Sequence, residues 1–235
     1  MASNIKAYIL HVFTDKTGNF GDKASVVIDE GKQISDIKRQ IITRKLDTGE
    51  TIFINNLTTA NISVMHSQGE IDFAGVGLLG TAWLLTKLRK KATKALYGRG
   101  GKINTWQEVE ITWVRADIST MPLWHHKQLE SVKAVESITL PETTNMEHTM
   151  VWAWIDENKG LIRARTFAKD WEIPEAEGNG SGAMLLANML KRAIEIKHGK
   201  GSIIYAKPEE NGLVDLGGRV EEDKPQEIVE YVNLV

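Results

Sequence analysis

The feature that most constrains this chain is an ordered internal repeat. Glu70-Ile71-Asp72 is answered a hundred-odd positions later by Glu172-Ile173-Pro174, and Ala82-Trp83-Leu84-Leu85 by Ala183-Met184-Leu185-Leu186. Between these anchors both copies carry glycines and then begin an apolar helix. Each half runs through strand, acidic-apolar step, Gly-rich turn and helix. No low-complexity stretch or long linker parts the halves, so they are expected to pack closely. Where related halves pack, a binding site forms between them.

Local patterns fill in the elements. Lys6–Phe13 and Ala24–Ile28 read as strands around the turn cluster Thr17–Lys23. Ile34–Arg44 reads as a helix with Ile34, Ile37, Ile41 and Ile42 on one face. Glu50–Asn55 and Ile62–Met65 read as strands, followed by a helix over Leu78–Leu96. Glu108–Val114 alternates Val109, Ile111 and Trp113 as a half-buried strand does. In the second half, Lys127–Ile138 reads as a helix, and Thr149–Ile155 with Leu161–Ala168 as a hairpin about Asp156–Gly160. A helix over Ala183–Lys197, a strand at Ser202–Ala206 and a weak last strand in Glu227–Val235 complete the order.

The two Gly-rich turns are Ala74 to Gly80 and Gly178 to Gly182. A helix start carries unpaired N–H groups and partial positive charge. Glycine lets a ligand approach that backbone. Two such starts facing one another suit a carboxylate. Neither turn has the lysine of a phosphate-binding loop, and the string Gly75-Val76-Gly77-Leu78-Leu79-Gly80 by itself does not make a dinucleotide site.

Composition removes several classes. The chain contains no cysteine, which excludes disulfides, thiolate metal sites and cysteine acid–base chemistry. A net charge of -2 gives no field toward nucleic acid or an anionic membrane. Phe73–Leu85 is too short for a bilayer, which takes about 20 apolar residues. Met1–Lys6 lacks the pattern of a secretory signal. A cytoplasmic protein is expected. His125-His126 lacks a third ligand at helical spacing, so no metal is expected there. Lys87–Lys94 reads as the solvated end of a helix, and Trp106, Trp113, Trp152 and Trp154 as sheet packing.

The same segments resemble the phenazine-biosynthesis PhzF-like family, which has the diaminopimelate epimerase fold. Phe20 to Val27 resembles its Gly-Asn-Pro-x-Ala-Val-Val segment, with Asp22 and Lys23 where Asn and Pro are usual. Gly49 to Ile54 resembles its Ser-Glu-Thr-x-Phe strand, and Gly69 to Gly80 its Cys-Gly-His turn. Arg165 to Ala168 and Ile173 to Ala183 resemble its Arg-x-Phe-Ala and Thr-Gly-Ser-Ala segments, and Leu216 to Val220 its late Gly-Gly strand. The resemblance implies an α+β fold of two pseudo-symmetric lobes, 1–115 and 116–235, each a curved, mostly antiparallel sheet wrapped around a central helix.

It also implies a cofactor-independent isomerase that moves a proton on a small carboxylate-bearing substrate. Glu50 matches the family's proton shuttle. Gly75, Val76, Gly180 and Ser181 match its substrate cradle, with Asp72, Glu175 and Glu177 as auxiliary carboxylates. No cofactor, metal, nucleic acid or membrane partner is implied, and the assembly state extends to a homodimer. Val76 and Ala176 stand where the family has His and Asp. They keep a second reading in play, a catalytically degenerate carboxylate-binding protein on the same scaffold. A purely structural homodimer is the third.

Overall fold

A computed structural model describes residues 3–139, 146–223 and 226–230. The first half contains β1 (Ser3–Thr14), β2 (Asp22–Ile28), α1 (Asp36–Leu46), β3 (Glu50–Asn56), β4 (Asn61–His66) and β5 (Gly69–Ile71). It continues with α2 (Gly75–Arg89), β6 (Ala95–Gly98), β7 (Gly101–Glu108) and β8 (Ile111–Asp117). The second half contains β9 (His125–Gln128), α3 (Val132–Glu136), β10 (Thr149–Asp156), β11 (Leu161–Ala168), β12 (Ile173–Ala176) and α4 (Gly180–Leu190). It closes with β13 (Ile194–His198), β14 (Ser202–Pro208), β15 (Leu213–Glu222) and β16 (Gln226–Glu230).

The repeat is visible in the pairing. In the first half β2 runs parallel to β3 across α1, β3 and β4 form a hairpin, and β4 runs parallel to β6 across α2. In the second half β9 runs parallel to β10 across α3, β10 and β11 form a hairpin, and β11 runs parallel to β13 across α4. Matching helix starts pairs Gly75 with Gly180. That register lies about one helical turn from the sequence match of Ala82 with Ala183.

Strands β1, β2, β3, β4, β6, β7, β8 and β15 neighbour one another in that order, and β15 pairs back onto β1 with Leu10 opposite Glu222. The first sheet is therefore a closed barrel. Helix α2 threads it. Every residue from Gly75 to Ala82 is buried, as are Leu84 and Leu85. A helix apolar on all sides is what a barrel interior requires. Strand β15 continues into β14, β13, β11, β10 and β9, a second curved sheet holding α4. One apolar core runs through both halves, from Leu10 and Ile52 through Leu78 and Leu216 to Ala183 and Ile204.

Several sequence expectations are corrected. On α1 the inward residues are Arg39, Ile42, Thr43 and Leu46, while Ile37 is 73% exposed. The cause is a buried ion pair: Arg39 Nε donates to Asp29 Oδ2 at 3.1 Å and its Nη2 to Asn55 Oδ1 at 2.6 Å. The pair turns the helix so that Arg39 faces the barrel wall, with Ile42 and Leu46 packing on Val27, Phe53 and Met65.

Helix α2 stops at Arg89, because Lys90 leaves it in the left-handed conformation, and Ala95-Leu96 belongs to β6. Lys191 ends α4 in the same way, freeing Ile194–His198 to pair as β13. Lys127-Gln128 lies in β9 beside β10, leaving a helix of five residues after the Ser131 cap. Val109 is a fully exposed turn residue. The inward residues of β8 are Thr112, Val114 and Ala116, opposite in phase to the expected set. Trp113 faces outward and stacks on Trp106 at 6.0 Å. In the tail, 226–230 form β16, and the rest of that expected strand lies outside the described residues.

Candidate functional site

The site grows from strand alternation. Successive side chains of a strand point to opposite faces. In β3, Glu50 therefore shares the barrel's inner face with Ile52 and Ile54, and in β2, Asp22 shares it with Ala24 and Val26. The two strands are parallel, so both carboxyl residues lie where their strands begin, at one rim. The start of α2 lies at that rim too. Its capping residue is Ala74, which has no side-chain acceptor. Glu50 supplies one instead: its Oε1 accepts the Gly77 N–H at 3.2 Å. An acidic group at a helix start is favoured by the helix dipole.

The start of α4 meets the start of α2. A Cβ added to Gly75 would lie 3.6 Å from Gly180 Cα and 2.7 Å from Leu216 Cδ2. One added to Gly180 would lie 3.7 Å from Gly75 Cα and 2.8 Å from the same Leu216 methyl. Both positions need glycine because two helix starts and a leucine share the space. The two Gly-rich turns and Glu50 are thus brought to one junction.

Asp22 and Glu50 each retain some exposed surface, yet protein crowds both carboxyls. Burial, with repulsion from Asp22 added, raises Glu50 to about 8. Burial, with repulsion from Glu177 added, raises Asp22 to about 6. The backbone N–H groups of Lys23 and Gly178 oppose the Asp22 shift by donating to it. Glu177 is held by Ser202 Oγ at 2.9 Å and by Lys200 N–H at 3.1 Å. Ser202 Oγ also accepts the Gly21 N–H at 3.0 Å, tying the turn before Asp22 to the second sheet.

Other expected residues have different surroundings. Val76 is buried in the main apolar core. Ser181 Oγ accepts a hydrogen bond from Trp124 Nε1 at 2.9 Å. Asp72 is paired with Arg99 Nε at 2.6 Å in a half-exposed contact. Glu175 forms a two-point pair with Arg165 at 2.7 and 2.8 Å, which holds its carboxyl below the usual range. Arg163 and Arg165 alternate with the core residues Ile162 and Ala164, so Glu175 belongs to the sheet face turned away from α4. It lines a cavity of 710 Å³ there.

Asp22 and Trp124 were not singled out as site residues. Asp22 had a signal, its departure from the family's Asn; Trp124 had none. His126, in β9, donates from Nε2 to the Gly182 carbonyl at 2.9 Å. Among the described residues, no group of three or more His, Asp or Glu is arranged to hold a metal ion. Among the same residues, no helix is long and apolar enough to cross a membrane.

Behind the α4 start lies a buried polar chain. His198 Nδ1 donates to the Glu177 carbonyl at 3.0 Å, and its Nε2 accepts a hydrogen bond from the Thr166 hydroxyl at 2.8 Å. Thr166 Oγ1 accepts from Asn179 Nδ2 at 3.3 Å, and Asn179 Oδ1 caps the Gly182 N–H at 2.8 Å. Full burial lowers His198 to about 4. Below pH 6.5 the unfolded chain takes up a proton that the folded chain refuses. Stability is therefore expected to fall between pH 6.5 and 4 by about 3 kcal/mol from this group. Urea unfolding across that range should show the extra slope in the parent and its absence in His198→Gln.

No family model matches the sequence. Comparison with solved structures aligns nearly the whole chain. A PhzF-family phenazine biosynthesis protein from Enterococcus faecalis superposes with a TM-score of 0.77 at 16% identity, covering 96% of this chain and 99% of the other. The fold is that of the PhzF proteins. A predicted epimerase from Pseudomonas aeruginosa superposes at 0.68 and 17% identity, covering 97% and 100% of the two chains. A hydroxyproline epimerase from Agrobacterium vitis, solved with trans-4-hydroxy-L-proline, superposes at 0.57 and 8% identity, covering 96% and 91%. The α+β, epimerase-like architecture expected from the motifs is therefore present. The PhzF-like barrel places Glu50, Gly75 and Gly180 at a single junction.

Proposed function

We propose that the chain is a cofactor-independent isomerase that moves a proton on a small carboxylate-bearing metabolite. The reaction is placed in a cleft between the lobes 1–115 and 116–235. The observation that carries the reading is Glu50, a crowded carboxyl at the barrel rim with its acidity shifted to about 8. A general acid works best with a pKa near the operating pH. At pH 7 Glu50 holds its proton and can give it to a substrate carbon. The α2 and α4 starts supply N–H groups and dipoles for the substrate carboxylate. The close approach of Gly75 and Gly180 supports reading those two starts as one cradle. The likeness in fold to a predicted epimerase and to a hydroxyproline epimerase supports the reading.

Incubation in heavy water with a panel of small carboxylic acids, trans-4-hydroxy-L-proline among them, tests this. Deuterium is expected at a substrate carbon in the parent, with the rate reduced at least about 100-fold in Glu50→Gln. An unchanged rate in that variant removes Glu50 from the chemistry.

The burial of Val76 where the family has His, together with Ala176 in place of Asp, supports the second reading, a carboxylate-binding protein without turnover. Thermal shifts by the same acids with no deuterium uptake would favour it.

A further inference from the structure

Glu50 is not the only inward carboxyl at the barrel rim. Asp22 opens β2 as Glu50 opens β3, and the neighbouring parallel strands point both side chains to the barrel interior. Their anchors differ. Glu50 is bound to Gly77, in the first turn of α2. Asp22 lies against Gly178, in the turn leading into α4, where a Cβ on the glycine would sit 3.1 Å from Asp22 Cβ and 3.3 Å from its Oδ2. From one anchor to the other run Gly77, Gly75, Gly180 and Gly178, with the contact between the helix starts in the middle. The titratable groups facing Asp22 are Glu50 from β3 and Glu177 from the α4 lead-in, and the backbone N–H groups of Lys23 and Gly178 donate to it. Among the described residues, no arginine or lysine charge is a cause of either carboxyl's shift.

We propose that Asp22 is the second proton-transfer group of the site, acting as base while Glu50 acts as acid on a substrate held at the Gly75–Gly180 contact. This rests on the isomerase reading and gives it a second named participant. The asymmetry of the two surroundings sets the roles. Glu50 is the more deeply crowded and keeps its proton at neutral pH, while Asp22, held by two N–H donors, is largely ionised. In the step, the substrate C–H bond breaks and its proton joins an Asp22 oxygen. The electron pair moves into the conjugated carboxyl or enol system. A second substrate carbon, or the opposite face of the same carbon, takes the proton from Glu50. The substrate is isomerised with no net change in protons. Asp22 ends protonated and Glu50 ionised, and exchange with solvent restores the pair.

The test compares the parent, Asp22→Asn and Glu50→Gln in two ways. The first is deuterium exchange with the same acid panel across pH 5 to 9. Both variants are expected to lose at least about 100-fold, and the fall in rate below about pH 6 that marks Asp22 is expected to vanish in any residual activity of Asp22→Asn. The second is carbon-13 carboxyl titration by NMR without substrate. Each substitution should remove one high titration, and Asp22→Asn should also lower the midpoint of Glu50, because the ionised Asp22 opposes the charge forming on Glu50. Exchange lost in Glu50→Gln but kept within about threefold in Asp22→Asn overturns the role of Asp22 and leaves the isomerase standing. Titrations that ignore each other overturn the pair even if both variants are inactive. Absence of exchange in the parent defeats the isomerase reading itself. A melting curve of Asp22→Asn no lower than the parent's shows that the variant is folded.

Discussion

At pH 9, Glu50→Gln should be more stable than the parent; at pH 4 the two should nearly coincide. The folded carboxyl titrates near 8, against 4.5 for the free group. Below pH 4.5 both states carry the proton, and the folded chain holds a neutral group without difficulty. As the pH rises, the unfolded chain releases its proton first, so stability falls until the folded carboxyl ionises near 8 and is then constant. The shift corresponds to about 5 kcal/mol at most, and partial exposure of the group brings the expected gain to about 2–4 kcal/mol. Glutamine keeps an oxygen for the Gly77 N–H and has no charge to lose. Urea unfolding of both proteins at pH 4, 6.5 and 9 reads the difference directly. A variant that is inactive yet more stable is the pattern of a group kept for chemistry against the interest of the fold. Equal stabilities at pH 9 would mean that Glu50 is ordinarily hydrated, and the acid role would fail with it.

Arg39→Ala should have the opposite character, a large loss of stability. Arg39 is 0% exposed and bridges Asp29 and Asn55. Asp29 in turn accepts the N–H groups of Gln33 and Ile34, which lead into α1, and Asn55 donates to Ser63 in β4. Removing the guanidinium leaves a buried carboxylate without its counter-charge, which typically costs about 3–5 kcal/mol. For a chain of this size the melting point should drop by on the order of 10 °C. Arg39→Lys should recover part of the loss, since it restores charge but not the fork that reaches two partners. If Arg39→Ala melts with the parent, the pair does not orient α1.

What the sequence disclosed and what it hid divide along physical lines. The repeat, the two Gly-rich turns and Glu50 were legible because a strand begins at Glu50 and because glycine ahead of an apolar helix is a local signal. Helix ends were not. Lys90 and Lys191 terminate α2 and α4 in the left-handed conformation, a position at which glycine is usual, so each helix was read about seven residues too long. The face of α1 was read only in part: Ile42 is buried and Ile34 packs on the core, but Ile37 and Ile41 are exposed, and the burial of Arg39 depends on Asp29 and Asn55, supplied by other elements. Glu175 matched a motif, but its pairing with Arg165 across β11 and β12 is a tertiary fact. Asp22 stood in plain view as a departure from the family's Asn, but its place beside Glu50 depends on the parallel pairing of β2 and β3, which no local pattern encodes.

Strand β15 has a consequence for how the chain is made. The barrel is closed by residues Leu213–Glu222, which pair with β1 from the N-terminus and with β8 from the middle. During synthesis the first seven barrel strands emerge long before their eighth. Until it arrives, α2 lies in an open trough flanked by two unpaired edges, the kind of edge that recruits other chains. Contacts so distant in sequence also form slowly. The first half therefore becomes a finished barrel only when the second half is nearly complete.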